Sequence, residues 1–525
     1  MNARARRLAP YALLALAVMA AYGNIFANGF VFDDGLLVTR NALLRHWDTF
    51  GKLLVEGTTG GAHVPGGFYR PVQDILFFFI YQIFGPSPFG FHLADIALHA
   101  ANAGLVYVLG VRLKFRPAAA FAGALIWALH PIHTEAVTFI SSMADPLCTL
   151  LCLVGLLIVL PDASLRRCLY AVPVFLLALL SKESAAVFPA LIVVCLYLVS
   201  PARLRPKTYL PTWPLWLVEV AYVIVRFTVL RSYGFQDFSR PEYHYLQLYA
   251  THLSYRIYTA LAVLPCYLGV LLWPVGLHME RDFPVYLDPF HWQVAVGAAM
   301  VAGAVAQIIW GRGRRGLALS WGFLWFAVAQ APNSGILVPT DALFLEHWMY
   351  VPTIGLFLGL AESLAAWIER QQAAEKLRRG AAIIVCIAAL VLGVRTIDQN
   401  MVWRNSFTLY AWLFSFGHGS ARAHNNLGVA YAEIKKYPEA VAQFREAIRI
   451  SDTLAESHLN LGVALLDLPD QKAHMAEAVA QLKRAIAMNP ELYQPYAMLA
   501  LVYDFLGDAR QAEFYRHKAA VLKAR

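Results

Sequence analysis

The chain has 525 residues, of which 59% are apolar and only 15% are charged, and its formal net charge is +9 at pH 7. A soluble protein of this length would carry about a quarter charged residues, so the composition predicts a polytopic membrane protein. The positive charge does not indicate nucleic-acid binding, because Lys and Arg stand in short clusters between apolar runs instead of covering one face.

The first apolar run, from about Tyr11 to Ala27, follows the basic N-terminus MNARARRLAP and resembles a signal peptide. No clear small-residue cleavage site follows it, so we predict an uncleaved anchor. The stretch FVFDDG comes next and brings Asp33 and Asp34, the first acids of the chain. A carboxylate pair at the mouth of a membrane helix marks a functional site, and the alternative is a solvated turn and helix cap.

Apolar runs of helical length recur to about Ile397, separated by short basic or Pro/Gly-containing loops. They predict an all-α membrane domain over residues 1–400. Its eleven expected crossings lie at 10–28, 90–111, 117–131, 137–160, 168–181, 184–200, 210–230, 291–310, 317–331, 349–367 and 380–397.

Basic clusters precede the first crossing and follow the even-numbered ones, so they all fall on one side of the membrane. The clusters are Arg4, Arg6, Arg7; Arg112, Lys114, Arg116; Arg166, Arg167; Arg203, Arg205, Lys207; Arg312, Arg314, Arg315; and Lys376, Arg378, Arg379. The positive-inside rule makes that side, with the N-terminus, cytoplasmic. The Asp pair is then extracytoplasmic, and so is the tail that follows an odd number of crossings.

Residues 251–275 are long enough to cross as well, but a single crossing there would put the GRGRR cluster on the outer side. We therefore predict a re-entrant or hairpin element broken near Pro265, or an interfacial helix.

The tail, residues 401–525, is charged and alanine-rich, and it repeats. Gly428 and Gly462 are 34 residues apart and align Leu427 with Leu461. This spacing is typical of the tetratricopeptide repeat, and a third unit follows. A four-residue insertion between LPDQ and AHM interrupts the second unit. The tail therefore predicts a short α-solenoid.

Most other charged groups near the membrane fall on the side of the Asp pair, which favours a functional site there. His130, His133 and Glu135 could bind a divalent cation or form a hydrogen-bonded polar cluster. Lys182 and Glu183 are adjacent and point to different helix faces, so Lys182 could meet a phosphate or only snorkel at a helix end.

Two arginines on the same side offer bidentate phosphate recognition. The alternatives are ion pairs of Arg70 with Asp74 and of Arg281 with Asp282. A recessed site with acids, cations and histidines suits sugar transfer from a polyprenyl phosphate. Arg, Lys or a metal would stabilise the leaving phosphate, and Asp33 or Asp34 would be the base. A single attack would invert the anomeric centre.

The order of several motifs carries a resemblance to a known family: FVFDDG, YRP, FHLADIALHAANAGLVYVL, HPIHTEAV with MADPL, LLSKES, EHWMYVPTIG and HNNLGVAY. In this order they resemble the transmembrane and tetratricopeptide-repeat O-mannosyltransferases and their bacterial relatives, of the GT-C glycosyltransferase superfamily. The resemblance implies a GT-C-like bundle and a catalytic role for Asp33 or Asp34. The positions that the family keeps polar are Arg70, His130, His133, Glu135, Asp145, Lys182, Glu183, Glu346 and His347.

Two positions depart from the family pattern. His347 stands where the family has Arg, which makes its charge depend on pH. Met143 stands in SMAD where the family pattern GRAD carries a cation. We assign Asp145 to the metal or polar cluster, and Arg70, Lys182, Glu183, Arg281, Glu346 and His347 to donor-phosphate or substrate binding.

The resemblance implies transfer of a sugar, a mannose-like hexose, from a polyprenyl-phosphate donor to a Ser/Thr hydroxyl of an extracytoplasmic protein docked on the repeats. The protein would be a multi-pass protein of a bacterial-type inner membrane that binds no nucleic acid. A non-catalytic membrane scaffold with partner-binding repeats is an alternative. A transferase acting on a lipid or cell-wall glycan is another.

Overall fold

The computed structural model describes residues 3–62, 67–200, 205–230, 238, 246–281, 283–417 and 419–524. Every regular element in these ranges is helical, which confirms the all-α class. The chain divides into two compact units, and the helices up to Val402 belong to the first while those from Ser406 belong to the second.

The first unit contains fifteen α-helices in its described ranges. They are α1 Ala3–Tyr22, α2 Pro71–Phe84, α3 Pro88–Arg112, α4 Pro117–Leu129, α5 Thr134–Thr138, α6 Ala144–Val159, α7 Leu165–Leu179, α8 Phe188–Val199, α9 Trp213–Thr228, α10 Gln247–Thr251, α11 Leu253–Leu272, α12 Trp292–Trp310, α13 Gly313–Gln330, α14 Pro352–Ile368 and α15 Ala374–Val402.

Seven helical stretches of the described chain are long and apolar enough to cross a membrane, and shorter apolar helices accompany them. The outward residues of these helices are themselves apolar. On α15, for example, Ile384 is 68% and Leu390 is 69% exposed. In water such a surface would be costly, whereas in lipid it is the surface that a spanning helix presents. The chain is a multi-pass membrane protein.

The helices carry the polar motifs and the basic clusters to opposite ends of the bundle. α4 begins after Arg116 and ends at His130, and α14 begins near His347 and ends before Glu369. We call these ends the Arg116 face and the Asp34 face. Eleven helices of the described residues correspond in chain order to the eleven predicted crossings: α1, α3, α4, α6, α7, α8, α9, α12, α13, α14 and α15. Only seven helical stretches of the described chain are long and apolar enough to span, and α11 is one of them, so the number of crossings stays a prediction.

α11 does not break at Pro265, so the expected hairpin is wrong. The helix is continuous for 20 residues, because a proline removes only one hydrogen bond and neighbouring elements support the backbone around it. Residues near its C-terminal end contact the Asp34 face. Tyr267 donates a hydrogen bond to the carbonyl of Leu345 at 3.0 Å, and the Leu271 carbonyl lies 3.0 Å from His130 Nε2. Before the helix, Tyr249 Oη lies 3.5 Å from Thr340 Oγ1. The C-terminal part of α11 therefore lies at this face, and the interfacial alternative stays a prediction, since the helix is also long and apolar enough to span a membrane.

Small residues fix the register of α13 against α14. A Cβ added at Gly322 would lie 2.7 Å from the carbonyl oxygen of Gly355, and one added at Gly359 would lie 2.7 Å from that of Ala318. The two backbones can approach this closely only because these positions lack side chains. This contact sets the position of α14, which connects the Asp34 face to the Arg116 face.

The second unit contains α16 Ser406–Phe414 and three antiparallel helix pairs. The pairs are α17 Ala421–Glu433 with α18 Tyr437–Ile450, α19 Ala455–Leu466 with α20 Gln471–Met488, and α21 Tyr493–Phe505 with α22 Ala509–Ala524.

The glycines that defined the repeat occupy equivalent positions in the first two pairs. A Cβ at Gly428 would lie 2.5 Å from the Phe444 ring, and one at Gly462 would lie 2.9 Å from Leu482. α18 has 14 residues and α20 has 18. The predicted four-residue insertion is therefore an added helical turn at the start of α20.

Candidate functional site

The two aspartates of FVFDDG occupy different environments. Asp34 is 1% exposed, and both carboxylate oxygens accept hydrogen bonds. Oδ1 accepts from the N–H and the Oγ–H of Ser141 at 2.9 and 2.6 Å, and Oδ2 accepts from the N–H of Val31 at 3.0 Å. Asp33 is only half-buried. The alternative of a merely solvated turn therefore does not describe Asp34, which ties the loop to the segment before α6.

Burial raises the pKa of Asp34 to about 7, although its three hydrogen bonds favour the charged form. The neighbouring charge of Asp33 contributes to the rise. Since the ordinary value of an aspartate is about 4, this carboxyl changes protonation near neutral pH.

A second group of charges lies beside this loop. Gln73, near the start of α2, donates to the carbonyl of Ser141 at 3.1 Å. Arg70, directly before α2, forms a two-pronged ion pair with Glu183, with Nε–Oε2 at 3.1 Å and Nη2–Oε1 at 2.7 Å. The N-terminus of α2 therefore connects the Asp34 loop to the Arg70–Glu183 pair.

Lys182 makes a separate ion pair next to it. Its Nζ lies 2.7 Å from both carboxylate oxygens of Asp145, and both side chains are 8% exposed. Adjacent Lys182 and Glu183 thus take different partners, as their positions predicted. Arg70 does pair with an acid, but with Glu183 and not with Asp74, because the chain reversal before α8 brings Glu183 to it.

A third group joins the residues around α5 to those before α14. Glu135 Oε2 accepts from the backbone N–H groups of Glu346 and His347 at 2.9 and 3.0 Å, and Oε1 lies 2.9 Å from His347 Nδ1. Glu346 Oε1 accepts from Arg281 Nη2 at 2.7 Å. Burial raises the pKa of Glu346 to about 8, and the Glu135 charge adds to this, whereas Arg281 opposes it. Asp282, the expected alternative partner of Arg281, lies outside the described residues.

The four residues assigned to a metal or polar cluster do not converge. His130 places Nε2 3.0 Å from the Leu271 carbonyl and accepts the Ile132 N–H on Nδ1, while Asp145 pairs with Lys182. His133 is buried, with Nε2 3.5 Å from Thr353 Oγ1. Among the described residues no three His, Cys, Asp or Glu side chains are placed to hold one metal ion. Each of these side chains instead has its own separate partners, so they do not form one cluster.

One polar row on α3 was not predicted as a site. His92, Asp95, His99 and Asn102 are all buried on one helix face. His99 Nδ1 lies 2.7 Å from Tyr350 Oη, and neither oxygen of Asp95 has a hydrogen-bond partner within the described chain. The spacing of three, four and three residues in FHLADIALHAANAG was the available signal.

The repeat prediction has independent support. A family model for the TPR repeat matches residues 430–468, which include the end of α17 and all of α18 and α19. The tail is thus a tetratricopeptide-repeat unit, as predicted.

Several curated proteins are similar to this chain over most of its length. Mouse protein O-mannosyl-transferase TMTC3 is 24% identical over 90% of this chain and 54% of that protein. Fruit-fly protein O-mannosyl-transferase Tmtc3 is 25% identical over 93% of this chain and 60% of that protein. Human protein O-mannosyl-transferase TMTC1 is 34% identical, but over 28% of this chain and 17% of that protein. The chain thus spans little more than half the length of the first relatives.

Among solved structures, ArnT from Cupriavidus metallidurans bound to undecaprenyl phosphate matches 94% of this chain and 81% of its own, with 16% identity and a TM-score of 0.39. The relatives, the TPR match and the apolar helices agree with the order of motifs in the sequence. The chain is therefore similar, over about nine-tenths of its length, to the transmembrane and tetratricopeptide-repeat O-mannosyltransferases, and the predicted resemblance is confirmed.

Proposed function

We propose that this protein is a membrane glycosyltransferase that moves a mannose-like hexose from a polyprenyl-phosphate donor to a hydroxyl of an extracytoplasmic protein. The observation that carries the proposal is the pair of Asp33 and Asp34 beside the Arg70–Glu183 ion pair at one end of an apolar helix bundle. The names of the relatives support the same reaction class. We further propose that the Asp34 face is extracytoplasmic, in a bacterial-type inner membrane, because the basic clusters lie at the other end.

The two aspartates have different proposed roles. Asp33, which is half-buried, is the general base for the acceptor hydroxyl. Asp34 is a positioning residue, since both of its oxygens already accept hydrogen bonds from Ser141 and Val31. Those bonds hold the loop, and therefore the backbone of Asp33, in a fixed place.

Arg70 and Arg281 are the proposed ligands of the donor phosphate. Glu183 engages Nε and Nη2 of Arg70, and Glu346 engages Nη2 of Arg281. A guanidinium carries five N–H donors, so each arginine keeps donors for a phosphate while its carboxylate partner fixes its orientation. Arg281 also lies 4.8 Å over the Phe344 ring, which further restricts its plane.

The proposed reaction is a single displacement. The acceptor oxygen attacks the anomeric carbon and passes its proton to the Asp33 carboxylate. The bond from the anomeric carbon to the phosphate oxygen breaks, and the polyprenyl phosphate leaves with the bonding electron pair. Arg70 and Arg281 stabilise the charge that develops on the phosphate. Attack from the opposite side inverts the anomeric centre.

The repeats are proposed to bind the acceptor protein as an extended segment. The first helices of successive pairs, α17 and α19, lie side by side, and Asn460 Nδ2 donates to Asn425 Oδ1 at 3.0 Å. Asn426 extends this row, because its Oδ1 lies 3.3 Å from Asn425 Nδ2. Side-chain amides both donate and accept, so such a row suits the backbone of a peptide without selecting its side chains.

The test compares three Asp→Asn variants of the purified protein with a polyprenyl-phosphate sugar and an acceptor peptide. Asp33→Asn should abolish transfer and keep the unfolding midpoint of the wild type. Asp34→Asn should lower both the transfer activity and the unfolding midpoint. The amide NH2 group that replaces one carboxylate oxygen would face an N–H or O–H donor of Ser141 or Val31, which costs about 1–3 kcal/mol. Asp48→Asn makes the same change at an exposed site of the same loop and should keep full activity.

Full activity of Asp33→Asn would remove the base assignment. Full activity of both Asp33→Asn and Asp34→Asn would refute the acid pair as the centre of the reaction and favour the scaffold alternative. Glycoproteomic comparison of a deletion strain with its parent would identify the sugar from the added mass and the acceptor from the modified residue.

A further inference from the structure

The Arg116 face carries a large excess of positive charge. The segments 112–116, 312–315 and 362–379 contain ten Lys and Arg residues and three Glu residues. We call the exposed residues Arg112, Lys114, Arg312, Arg315 and Arg370 the basic patch. None of these five forms a salt bridge within the described chain, since the three acids pair with other arginines.

A buried glutamate holds these segments together. Glu362 is fully buried, and its Oε1 accepts hydrogen bonds from Arg116 and from Arg314, the latter at 2.5 Å. Arg314 Nη2 donates to the carbonyl of Lys114 at 2.5 Å, and Ser363 Oγ donates to that of Arg315 at 3.0 Å. The turn after α3, the turn after α12 and the end of α14 are therefore fixed to one another.

Glu362 thus holds the basic segments together, while the exposed cations of the basic patch have no acidic partner within the described chain. The guanidinium of Arg370 lies close to the second turn, since a Cβ at Gly313 would be 3.3 Å from its Nη2. Lys114 has φ = +62°, a conformation that costs a non-glycine residue of order 1 kcal/mol. The basic patch therefore keeps several unpaired positive charges on neighbouring segments despite the conformational cost at Lys114. Such a surface suits a polyanionic partner.

Two tryptophans identify the environment of the patch. Trp310, at the end of α12, is 69% exposed, and Trp367, near the end of α14, is 39% exposed. Tryptophan favours the interface between hydrocarbon and headgroups. The patch begins immediately beyond both tryptophans in the chain, so its cations lie at the level of the lipid phosphates.

We infer that the basic patch binds the headgroup phosphate of an anionic phospholipid and that this binding stabilises the helix bundle. The cations surround the joined turns, so a bound headgroup would bridge α3, α12 and α14. The inference does not depend on the proposed transfer reaction or on which leaflet the Arg116 face meets.

The test uses the full chain in nanodiscs of phosphatidylcholine alone or of phosphatidylcholine mixed with phosphatidylglycerol. The anionic lipid should raise the thermal unfolding midpoint of the wild type, and titration in detergent should show saturable binding. Lys114→Gln combined with Arg312→Gln and Arg370→Gln should weaken binding by about tenfold or more and remove the rise in midpoint. The charge-keeping set Lys114→Arg, Arg312→Lys and Arg370→Lys should retain both.

The matched control removes the same net charge from exposed residues of the repeat unit. Lys472→Gln with Arg510→Gln and Lys518→Gln should leave lipid binding unchanged. Equal loss in this control would mean that only net charge matters and would overturn the site. If soluble inorganic tripolyphosphate stabilised the wild type equally, the ligand of the patch would be a free phosphate and not a lipid headgroup, and the inference would be overturned. No rise in midpoint with phosphatidylglycerol would refute the inference.

Discussion

The buried pair of Lys182 and Asp145 allows a direct test of whether the cations of the Asp34 face serve the fold or a ligand. Both side chains are 8% exposed, and Nζ lies 2.7 Å from each carboxylate oxygen. Lys182→Met removes the cation but keeps the apolar stem, and leaves the carboxylate buried without its partner. Breaking a buried pair in this way costs about 3–5 kcal/mol. Asp145→Leu alone should cost a similar amount.

The double variant Lys182→Met with Asp145→Leu should recover most of that loss, because replacing a buried pair by apolar residues is often neutral. The assay is the unfolding free energy of the purified protein, measured for all four species as a double-mutant cycle. Losses that simply add would refute an energetic coupling of the pair. A stable double variant that still transfers sugar would show that Lys182 does not bind the donor phosphate, whereas a stable inactive one would assign it a role at the site.

Three further predictions address other parts of the chain. Glu362→Gln should lower the free energy of unfolding by about 3–5 kcal/mol, because Arg116 and Arg314 lose the charge of their buried partner. Glu375→Gln is the control. Its side chain is 78% exposed, so this change should leave the melting temperature almost unchanged. Gly297→Ala should destabilise the protein, since its Cβ would lie 1.9 Å from a carbonyl oxygen of α11, while Gly303→Ala has open space and should be tolerated in the same thermal assay. Burial raises the pKa of Asp34 to about 7, so the folded state binds its proton more tightly than the unfolded chain. Stability should therefore fall as pH rises from about 4 to 7, and Asp34→Asn should flatten that part of the profile.

The elements of the fold were predictable from local patterns. Apolar runs and basic clusters gave the crossings and the two faces, because a spanning helix must satisfy its backbone internally and present apolar side chains to lipid. The repeat followed from the 34-residue spacing of Gly428 and Gly462, since each glycine admits the bulky side chain of the paired helix.

The pairing of charges was not predictable, because it depends on which turns meet in three dimensions. Arg70 has Asp74 four residues away, yet it pairs with Glu183, 113 residues away in sequence. The continuity of α11 through Pro265 was missed for a related reason, since contacts with the Asp34 face and not the local sequence support that helix. Tertiary contacts decided both outcomes.

The ion pairs also rank the candidate phosphate ligands, which sequence alone could not do. Lys182 directs its compact ammonium to both oxygens of Asp145 and is 8% exposed, so a phosphate would have to displace a good partner. Arg281 is 22% exposed and Arg70 is 11% exposed, and each meets its carboxylate through only part of a larger fork. A planar cation held along one edge is oriented without being saturated. The ion pairs neutralise these charges within the apolar bundle while leaving oriented N–H groups on the two arginines. Under the proposed function, Arg281 and Arg70 are therefore better candidates than Lys182 for binding the donor phosphate.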